Sequence, residues 1–244
     1  MITVIGIDCA TVPGKLGLAR GEINESSLAI LDAKKVKKQE SLEEVICSWI
    51  QPSIPTLLAI DAPLGWPIML GEALIEHKAG MPIRRDANSL FRRETDRYIK
   101  RIIGKQPLDV GADRIARTAQ AALTLIEEIR QKTGLAISMA WETELQPGIS
   151  VIEVYPAATL TAWGMLNSGY KKVENIAERR EILGALEKQA RLDCDFTAME
   201  QDDDILDAAI CVLAGADFLT GRAMPPENMN LALKEGWIWV RNPQ

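Results

Sequence analysis

Histidine is almost absent from this chain. His77 is the single histidine among 244 residues, and no Gly-x-Ser-x-Gly sequence accompanies it. A Ser-His or Cys-His catalytic unit would depend on this one residue, and a base must also be oriented by a third group. His77 lies in the polar stretch 71–80, a pattern typical of a solvated helix. Histidine chemistry is therefore largely excluded, and carboxylates, metal ions or cations are the expected agents of any catalysis.

Cysteine is scarce and scattered. The chain has four cysteines, with no C-x-x-C pair and no histidine at ligand spacing: Cys9, Cys47, Cys194 and Cys211. This pattern does not predict a zinc site. We expect reduced thiols in a cytoplasmic protein.

Long apolar runs are also missing. No stretch reaches the roughly 20 apolar residues that a membrane-spanning helix needs. The first residues, 1–4, enter a predicted strand without the charged head and cleavage site of a signal peptide. We therefore expect no membrane partner. The net charge of -6 gives no global sign of nucleic-acid binding, so an anionic partner would have to meet a local basic patch or a metal ion.

The apolar pattern predicts an α/β fold. The predicted strands are Val4–Asp8, Leu16–Gly21, Leu28–Asp32, Leu57–Ala62, Ser150–Tyr155 and a late edge strand at Gly236–Val240. The predicted helices are Ser41–Gln51, Ala112–Thr133, Ala157–Leu166, Ile176–Leu192 and Asp204–Leu219. The order β-β-β-α-β is that of the ribonuclease H-like three-layer fold, a mixed central sheet with helices on both faces.

A basic segment interrupts this order between residues 63 and 111. From Lys78 to Lys105, nine Lys or Arg residues face three Asp or Glu residues, an excess of six positive charges. We interpret it as a helical basic insertion over the open end of the sheet. The whole chain, 1–244, is then one domain with an insertion at about 63–111.

Five acidic residues form the candidate catalytic set. Asp8 and Asp61 end apolar strands, Glu153 lies near the end of another, and Asp204 and Asp207 lie one helical turn apart. Ligands of open α/β sheets lie beyond the carboxyl ends of the strands. Phosphodiester cleavage with one or two Mg²⁺ or Mn²⁺ ions needs such a group of carboxylates. The four aspartates are the predicted metal ligands, with Glu153 as a further ligand or a supporting group.

A structural role stays open for each of these acids. An aspartate after an apolar strand is often the first turn residue. Asp204 precedes an apolar helix and would suit its N-terminus. Asp207 and Glu153 are harder to explain in this way, because apolar residues surround them in sequence and a lone buried carboxylate is costly. A hydrogen-bonded network of carboxylates remains the alternative to a metal site.

Four cations are candidates for contacting substrate phosphate. Arg92, Arg93 and Arg97 lie in the basic segment, and Lys171 follows a Gly-Tyr pair. A guanidinium group matches the geometry of phosphate oxygens. A solvated helix face is the alternative for the arginines, and Arg93 with Asp96 also fits a local salt bridge.

The sequence resembles the family of predicted ribonuclease H-like nucleases catalogued as domain of unknown function 429. The matching pieces lie at 6–8, 60–67, 92–96, 153–156, 169–172, 204–214 and 235–240. A wider resemblance to Holliday-junction resolvases rests on Asp8, Asp61, Asp204 and Asp207. The resemblance implies a divalent-metal-dependent phosphodiester hydrolase, a nuclease with nucleic acid as its partner.

Two other interpretations remain. The segment Gly6–Thr11 is similar to the first phosphate loop of actin-like ATP phosphotransferases, but that fold needs two such domains and a second glycine-rich loop, and this chain shows neither. A catalytically inactive nucleic-acid or nucleotide binding module on the same fold is the second. The sequence leaves the oligomeric state open, a homodimer included.

Overall fold

A computed structural model describes residues 1–12, 14–25, 27–37, 39–111 and 113–243. Within this part of the chain, seven strands form one mixed sheet in the order β5-β6-β4-β1-β2-β3-β7. The strands are β1 (Ile2–Asp8), β2 (Gly17–Asn24), β3 (Ser27–Lys35), β4 (Thr56–Asp61), β5 (Ile137–Met139), β6 (Ile149–Glu153) and β7 (Arg191–Leu192). Strand β2 runs antiparallel to both of its neighbours, whereas β1, β4, β6 and β5 are mutually parallel.

Ten helices accompany the sheet in the described ranges. They are α1 (Leu42–Trp49), α2 (Ile68–Leu74), α3 (Ala87–Phe91), α4 (Glu94–Ile103), α5 (Asp113–Thr133), α6 (Pro156–Ala162), α7 (Ile176–Leu186), α8 (Phe196–Gln201), α9 (Asp203–Leu219) and α10 (Met229–Glu235). The residue Ala112, with which we predicted that the fifth helix begins, lies outside the described residues.

Strand alternation divides the core into two layers. In β1, Val4 belongs to the core that contains α9, whereas Ile5 and Ile7 belong to the core that contains α1 and α5. We call these two sides of the sheet the α9 face and the α5 face. Because successive side chains of a strand point to opposite sides, the inner strands β1, β2, β4 and β6 contribute to both cores. The predicted α/β fold, a mixed sheet with helices on both faces, is confirmed, and it is compatible with the ribonuclease H-like architecture.

Two glycines allow α9 to lie directly on the sheet. A Cβ atom at Gly6 of β1 would lie 2.0 Å from the carbonyl oxygen of Ala208, and one at Gly17 of β2 would lie 1.9 Å from that of Asp204. No side chain fits at those distances. Because neither position has a side chain, the first turns of α9 pack directly against the backbone of β1 and β2.

Two predicted elements differ from the structure. The predicted helix Ile176–Leu192 ends at Leu186, and Arg191–Leu192 instead pairs with β3 as a short strand. The predicted edge strand Gly236–Val240 is wrong: in this segment the structure has one isolated bridge, between Ile238 and Glu153. Its backbone bonds to scattered partners, since the N–H of Ile238 donates to Thr95 Oγ1 and that of Trp239 to the carbonyl of Glu153. This C-terminal segment covers the end of β6 and does not extend the sheet.

The basic segment 63–111 contains α2, α3 and α4, joined by extended and turn segments. The buried carboxylate of Glu235, at the end of α10, accepts hydrogen bonds from the N–H groups of Ile68 and Glu94, both at 2.8 Å. One side chain thus joins the first turns of α2 and α4 to the C-terminal part of the chain. His77 lies beyond the end of α2 and is exposed, so it is solvated as expected, although not helical.

In the described part of the chain, no helix has the length and apolar character that crossing a membrane requires.

Candidate functional site

Strand register brings Asp8 and Asp61 together. They are direct partners across the parallel pair β1–β4, each as the last residue of its strand. Asp8 shares the parity of Val4 and Gly6, and Asp61 that of Leu57, all on the α9 face. Both carboxylates therefore emerge from the same edge of the sheet on the side where α9 lies.

Helix α9 adds the third carboxylate. Asp207 is fully buried in its second turn, whereas Asp8 and Asp61 are partly exposed. One carboxylate oxygen from each of the three lies within 4.8 Å of the other two. We call Asp8, Asp61 and Asp207 the carboxylate cluster.

The loop before α7 supplies two polar contacts to the cluster. The buried Tyr170 hydroxyl donates to Asp207 Oδ1 at 2.7 Å, and Lys171 Nζ lies 2.5 Å from Asp207 Oδ2. The Lys171 side chain is 55% exposed, so its ammonium group is open to solvent as well as to the cluster. The buried Arg179 holds this loop through its guanidinium group, which donates to the carbonyl groups of Tyr170, Lys172 and Val173.

Mutual repulsion and burial perturb the cluster. Burial, with the charges of Asp207 and Asp61, raises the pKa of Asp8 well above its usual value. Burial raises the pKa of Asp61 to about 7; the charge of Lys171 lowers this pKa, and the charges of Asp207 and Glu153 raise it. Burial also raises the pKa of Asp207, although Lys171 and Tyr170 lower it. The three acids are thus held together at an electrostatic cost that a bound cation would relieve.

Asp204 lies beside the cluster without joining it. Its Oδ2 pairs with Lys35 Nζ at 2.8 Å, and the same ammonium group contacts Asp202 Oδ2 at 2.6 Å. Asp202 also caps α9 by accepting the N–H of Asp204. The structural role expected for acids at a helix start is therefore present here. Asp204 is still close enough for its charge to contribute to the raised pKa of Asp8.

Glu153 points away from the cluster. It has the parity of Ile149 and Val151, whose side chains belong to the core of the α5 face. Its two carboxylate oxygens accept hydrogen bonds from Arg93 at 2.7 and 2.6 Å and from the N–H of Leu64 at 3.0 Å. The expected contribution of Glu153 to the cluster is therefore replaced by a buried ion pair.

Arg93 is committed to the same ion pair. Its side chain is 1% exposed. Its guanidinium group makes five hydrogen bonds, two to Asp96, two to Glu153 and one to the carbonyl of Glu235. A guanidinium group has five N–H donors, so none is left for a phosphate. The local salt bridge with Asp96 is the alternative that the geometry favours.

The other two arginines of the phosphate set are accessible. Arg92 Nε bonds Asp109 at 2.8 Å and Nη1 bonds Asn88 at 2.7 Å. Arg97 is exposed and donates through Nη1 to the carbonyl of Arg92 at 2.6 Å. Arg97 keeps its charge at the surface, whereas the partly exposed Arg92 is already paired with Asp109.

A cavity of about 340 Å³ adjoins the cluster. Asp61 and Lys171 belong to its lining, as do Tyr155, Leu108 and Ile115. The residues 107 and 108 come from the basic segment, which therefore forms one wall of the cavity beside Asp61. A second depression, which contains Arg92, shares Leu108 and Ile115 with it.

Sequence reasoning overlooked two residues here. Tyr170 is adjacent to Lys171 in a motif that we had singled out, and a tyrosine next to a candidate cation was the available signal. Tyr155 was predicted as the last residue of a strand and instead follows the observed end of β6 by two residues, at the edge of the sheet where the ligand was expected. Neither residue belongs to a recognisable sequence pattern, because its position beside the cluster depends on the conformation of the loop that carries it.

Comparison with known proteins identifies the family. Residues 6–230 match the family described as "Protein of unknown function (DUF429)". Among solved structures, one titled "T. thermophilus RuvC in complex with Holliday junction substrate" is similar at 12% identity and a TM-score of 0.38, over 93% of this chain and 100% of that one. That likeness is too distant to support a function. No curated protein matches. The family match spans the end of β1, the carboxylate cluster and the whole of α9, and the chain belongs to this family of proteins of unknown function.

Proposed function

We propose that the protein is a divalent-metal-dependent phosphodiester hydrolase, a nuclease that acts on nucleic acid. The observation that carries the proposal is the approach of three carboxylate oxygens, from Asp8, Asp61 and Asp207, to within 4.8 Å of one another. Their positions at two parallel strand ends and one helix start suit an ion at the edge of the sheet.

The donor set fits Mg²⁺ or Mn²⁺. All three side chains offer carboxylate oxygens, which are the ligands that these ions prefer. Asp207 Oδ2 is buried and accepts no aligned hydrogen bond, although Lys171 contacts it. When bound, one or two such ions supply an activated water and neutralise charge on the scissile phosphate.

The surrounding residues have separate roles in this proposal. Tyr170 orients Asp207 through its hydroxyl hydrogen bond. Lys171 is positioned to donate to a phosphate oxygen at the edge of the cluster, with Arg92 and Arg97 meeting further phosphates. Asp204, which is paired with Lys35, adds negative charge near Asp8 and does not ligate the ion. Arg93 and Glu153 hold the wall of the site.

The experiment is a cleavage screen with Mg²⁺ and Mn²⁺ on single- and double-stranded DNA and RNA. We expect metal-dependent cleavage by the parent. Asp8→Asn and Asp61→Asn should each lower the rate by more than the about 10- to 100-fold typical of groups that only support metal ligands. Asp32→Asn is the matched control, because Asp32 pairs with Lys34 at the surface of β3. Absence of cleavage with either ion on every substrate would contradict the proposal.

A further inference from the structure

The cavity beside Asp61 has an aromatic and apolar wall close to charged groups. Leu108 and Ile115 lie on that wall with Tyr155, whose ring is partly exposed. Asp61 and Lys171 line the same cavity and also belong to, or contact, the carboxylate cluster. An occupant therefore meets apolar surface and the candidate metal centre at the same time.

The polar groups deeper in the cavity are already occupied. Arg93 and Glu153 contribute to its lining, but they are 1% and 2% exposed and bond to each other. Tyr155 differs, since its side chain is only partly buried. The accessible recognition elements are thus an aromatic face and aliphatic side chains, with Lys171 as the accessible cation.

The chemistry of the occupant follows from this combination. A flat group with an apolar face can stack on Tyr155, and a linked anionic group can reach Lys171 and the cluster. A volume of about 340 Å³ falls in the range of roughly 300–1,000 Å³ found for small-molecule sites. A nucleobase joined to a phosphate has both properties in one unit.

We propose that this cavity binds the base of an unpaired nucleotide whose phosphate lies at the carboxylate cluster. The inference rests on the proposed function and specifies its substrate as single-stranded or frayed nucleic acid. A base inside a duplex is stacked and paired, so it enters such a cavity only after leaving the helix. Stacking on an aromatic ring tolerates any base, and the cavity therefore selects strand state over sequence.

Calorimetry tests base binding without depending on turnover. The four ribonucleoside 5′-monophosphates are titrated into the protein with Mn²⁺ and compared with ribose 5-phosphate, which has the same phosphate and sugar but no base. We expect at least tenfold tighter binding of the nucleotides. Tyr155→Ala should remove about tenfold of that advantage, whereas Tyr155→Phe keeps the ring and should retain it.

A second pair of variants tests the cavity by filling it. Ile115→Trp places a larger side chain in the cavity and should weaken nucleotide binding. Leu123→Trp is its control, because Leu123 lies on the same helix, is 38% exposed and does not line the cavity. Equal binding of ribose 5-phosphate and nucleotides by the parent, or equal losses in these two variants, overturns the proposal.

Cleavage separates this inference from the proposed function. A single-stranded oligonucleotide should be cut at least tenfold faster than the same sequence in a blunt duplex. Cleavage with no strand preference and no base-dependent binding overturns the cavity assignment and leaves the hydrolase. Base-dependent binding without cleavage of any substrate supports the cavity assignment and overturns the hydrolase.

Discussion

Asp61 has a pKa of about 7, raised from the usual 3.8 mainly by burial. In the folded protein this carboxyl group therefore holds its proton over a pH range in which the unfolded chain has lost it. The free energy of unfolding is therefore highest below a pH of about 4, where the group is protonated in both states. It falls as the pH rises from about 4 through about 7. Ionisation of Asp61 in the absence of a cation thus destabilises the fold.

The variant Asp61→Asn has no carboxyl group to ionise at this position, so it should not lose stability as the pH rises. In the presence of a chelator, the variant should melt above the parent at pH 8, by about 2 °C or more if the relief reaches ~1 kcal/mol. The difference should shrink to nothing near pH 4. Addition of Mn²⁺ should stabilise the parent and have much less effect on the variant, since the proposed metal site forms only in the folded protein and the variant lacks one of its ligands. The measurement is a melting series by circular dichroism at pH 4 to 8, with and without Mn²⁺.

Asp32→Asn is the control for this series, because the Asp32–Lys34 pair is at the surface and should contribute little to stability. A variant that unfolds at all pH values, beside a parent indifferent to Mn²⁺, would show Asp61 to be structural. The carboxylates would then form a hydrogen-bonded network, as the alternative interpretation of the sequence holds.

The sequence predicts those site residues that a local pattern of apolar and polar residues marks. Asp8 and Asp61 are found because an apolar run ends at each. Glu153 ends a similar run, yet it lies on the opposite face of the sheet, because its register pairs it with Ile60 and not with Asp61. Strand register is set by pairing between distant segments, so a single strand does not indicate it.

Helix α9 is the element on which the cluster depends. It contacts β1, β2, β3 and β4, and it brings Asp207 to two strand ends. Its apolar run made it predictable from sequence. Its depth was not, because that depends on Gly6 and Gly17 lying beneath its backbone.

Gly6→Ala should therefore displace α9. A Cβ atom 2.0 Å from the carbonyl oxygen of Ala208 cannot be accommodated by a side-chain rotation, so helix and strand must separate. We expect a loss of stability at or above the about 1–3 kcal/mol typical of overpacked cores, together with weaker Mn²⁺ binding. Urea denaturation and Mn²⁺ titration measure the two effects.

Gly184→Ala in α7 is the matched control. A Cβ atom there meets nothing within 4 Å, and a helix interior favours alanine. This variant should gain roughly 0.5–1 kcal/mol and keep its Mn²⁺ affinity. If Gly6→Ala retained both stability and Mn²⁺ binding, close packing of α9 would not position the cluster.

Short strands and helices are the elements that the sequence does not predict. Strands β5 and β7 have three and two residues and exist because a longer strand pairs with each. Helices α8 and α10 have six and seven residues, too few for a clear periodic pattern. Helices α5 and α9 and the inner strands, whose own apolar patterns are sufficient, agree with the sequence.

For the molecule as a whole, the net charge is -6 and the basic excess is confined to one segment. Part of that excess is neutralised internally, since Arg92 pairs with Asp109, Arg93 with Glu153 and Arg101 with Glu227. Three other cations of the segment, Lys78, Arg84 and Arg85, are exposed, and the ion pair of Arg85 with Glu72 is long at 3.9 Å. These three are candidates for contacts with an extended anionic strand.

Affinity for a single-stranded oligonucleotide should fall with salt concentration. Replacing Lys78, Arg84 and Arg85 by alanine should reduce the slope of log K against log salt by about 2, if each cation meets one phosphate. Fluorescence anisotropy in an Asp61→Asn background measures the slope without cleavage. Replacing Arg180, Lys188 and Arg191, which lie in and after α7, is the control, and an equal change in its slope would contradict this assignment.

The long sequence separation between Asp8 and Asp207 has a consequence during synthesis. The β1–β2–β3 meander and β4 can pair while the chain is still on the ribosome, and Asp8 and Asp61 then stand side by side. The cluster remains incomplete until α9 has been translated and docked, because contacts between distant segments form late. A nascent or truncated chain without α9 would expose the apolar α9 face of the sheet, a surface prone to aggregation. Such a fragment would hold two of the three acids, and the proposed activity would therefore be confined to chains that have finished folding.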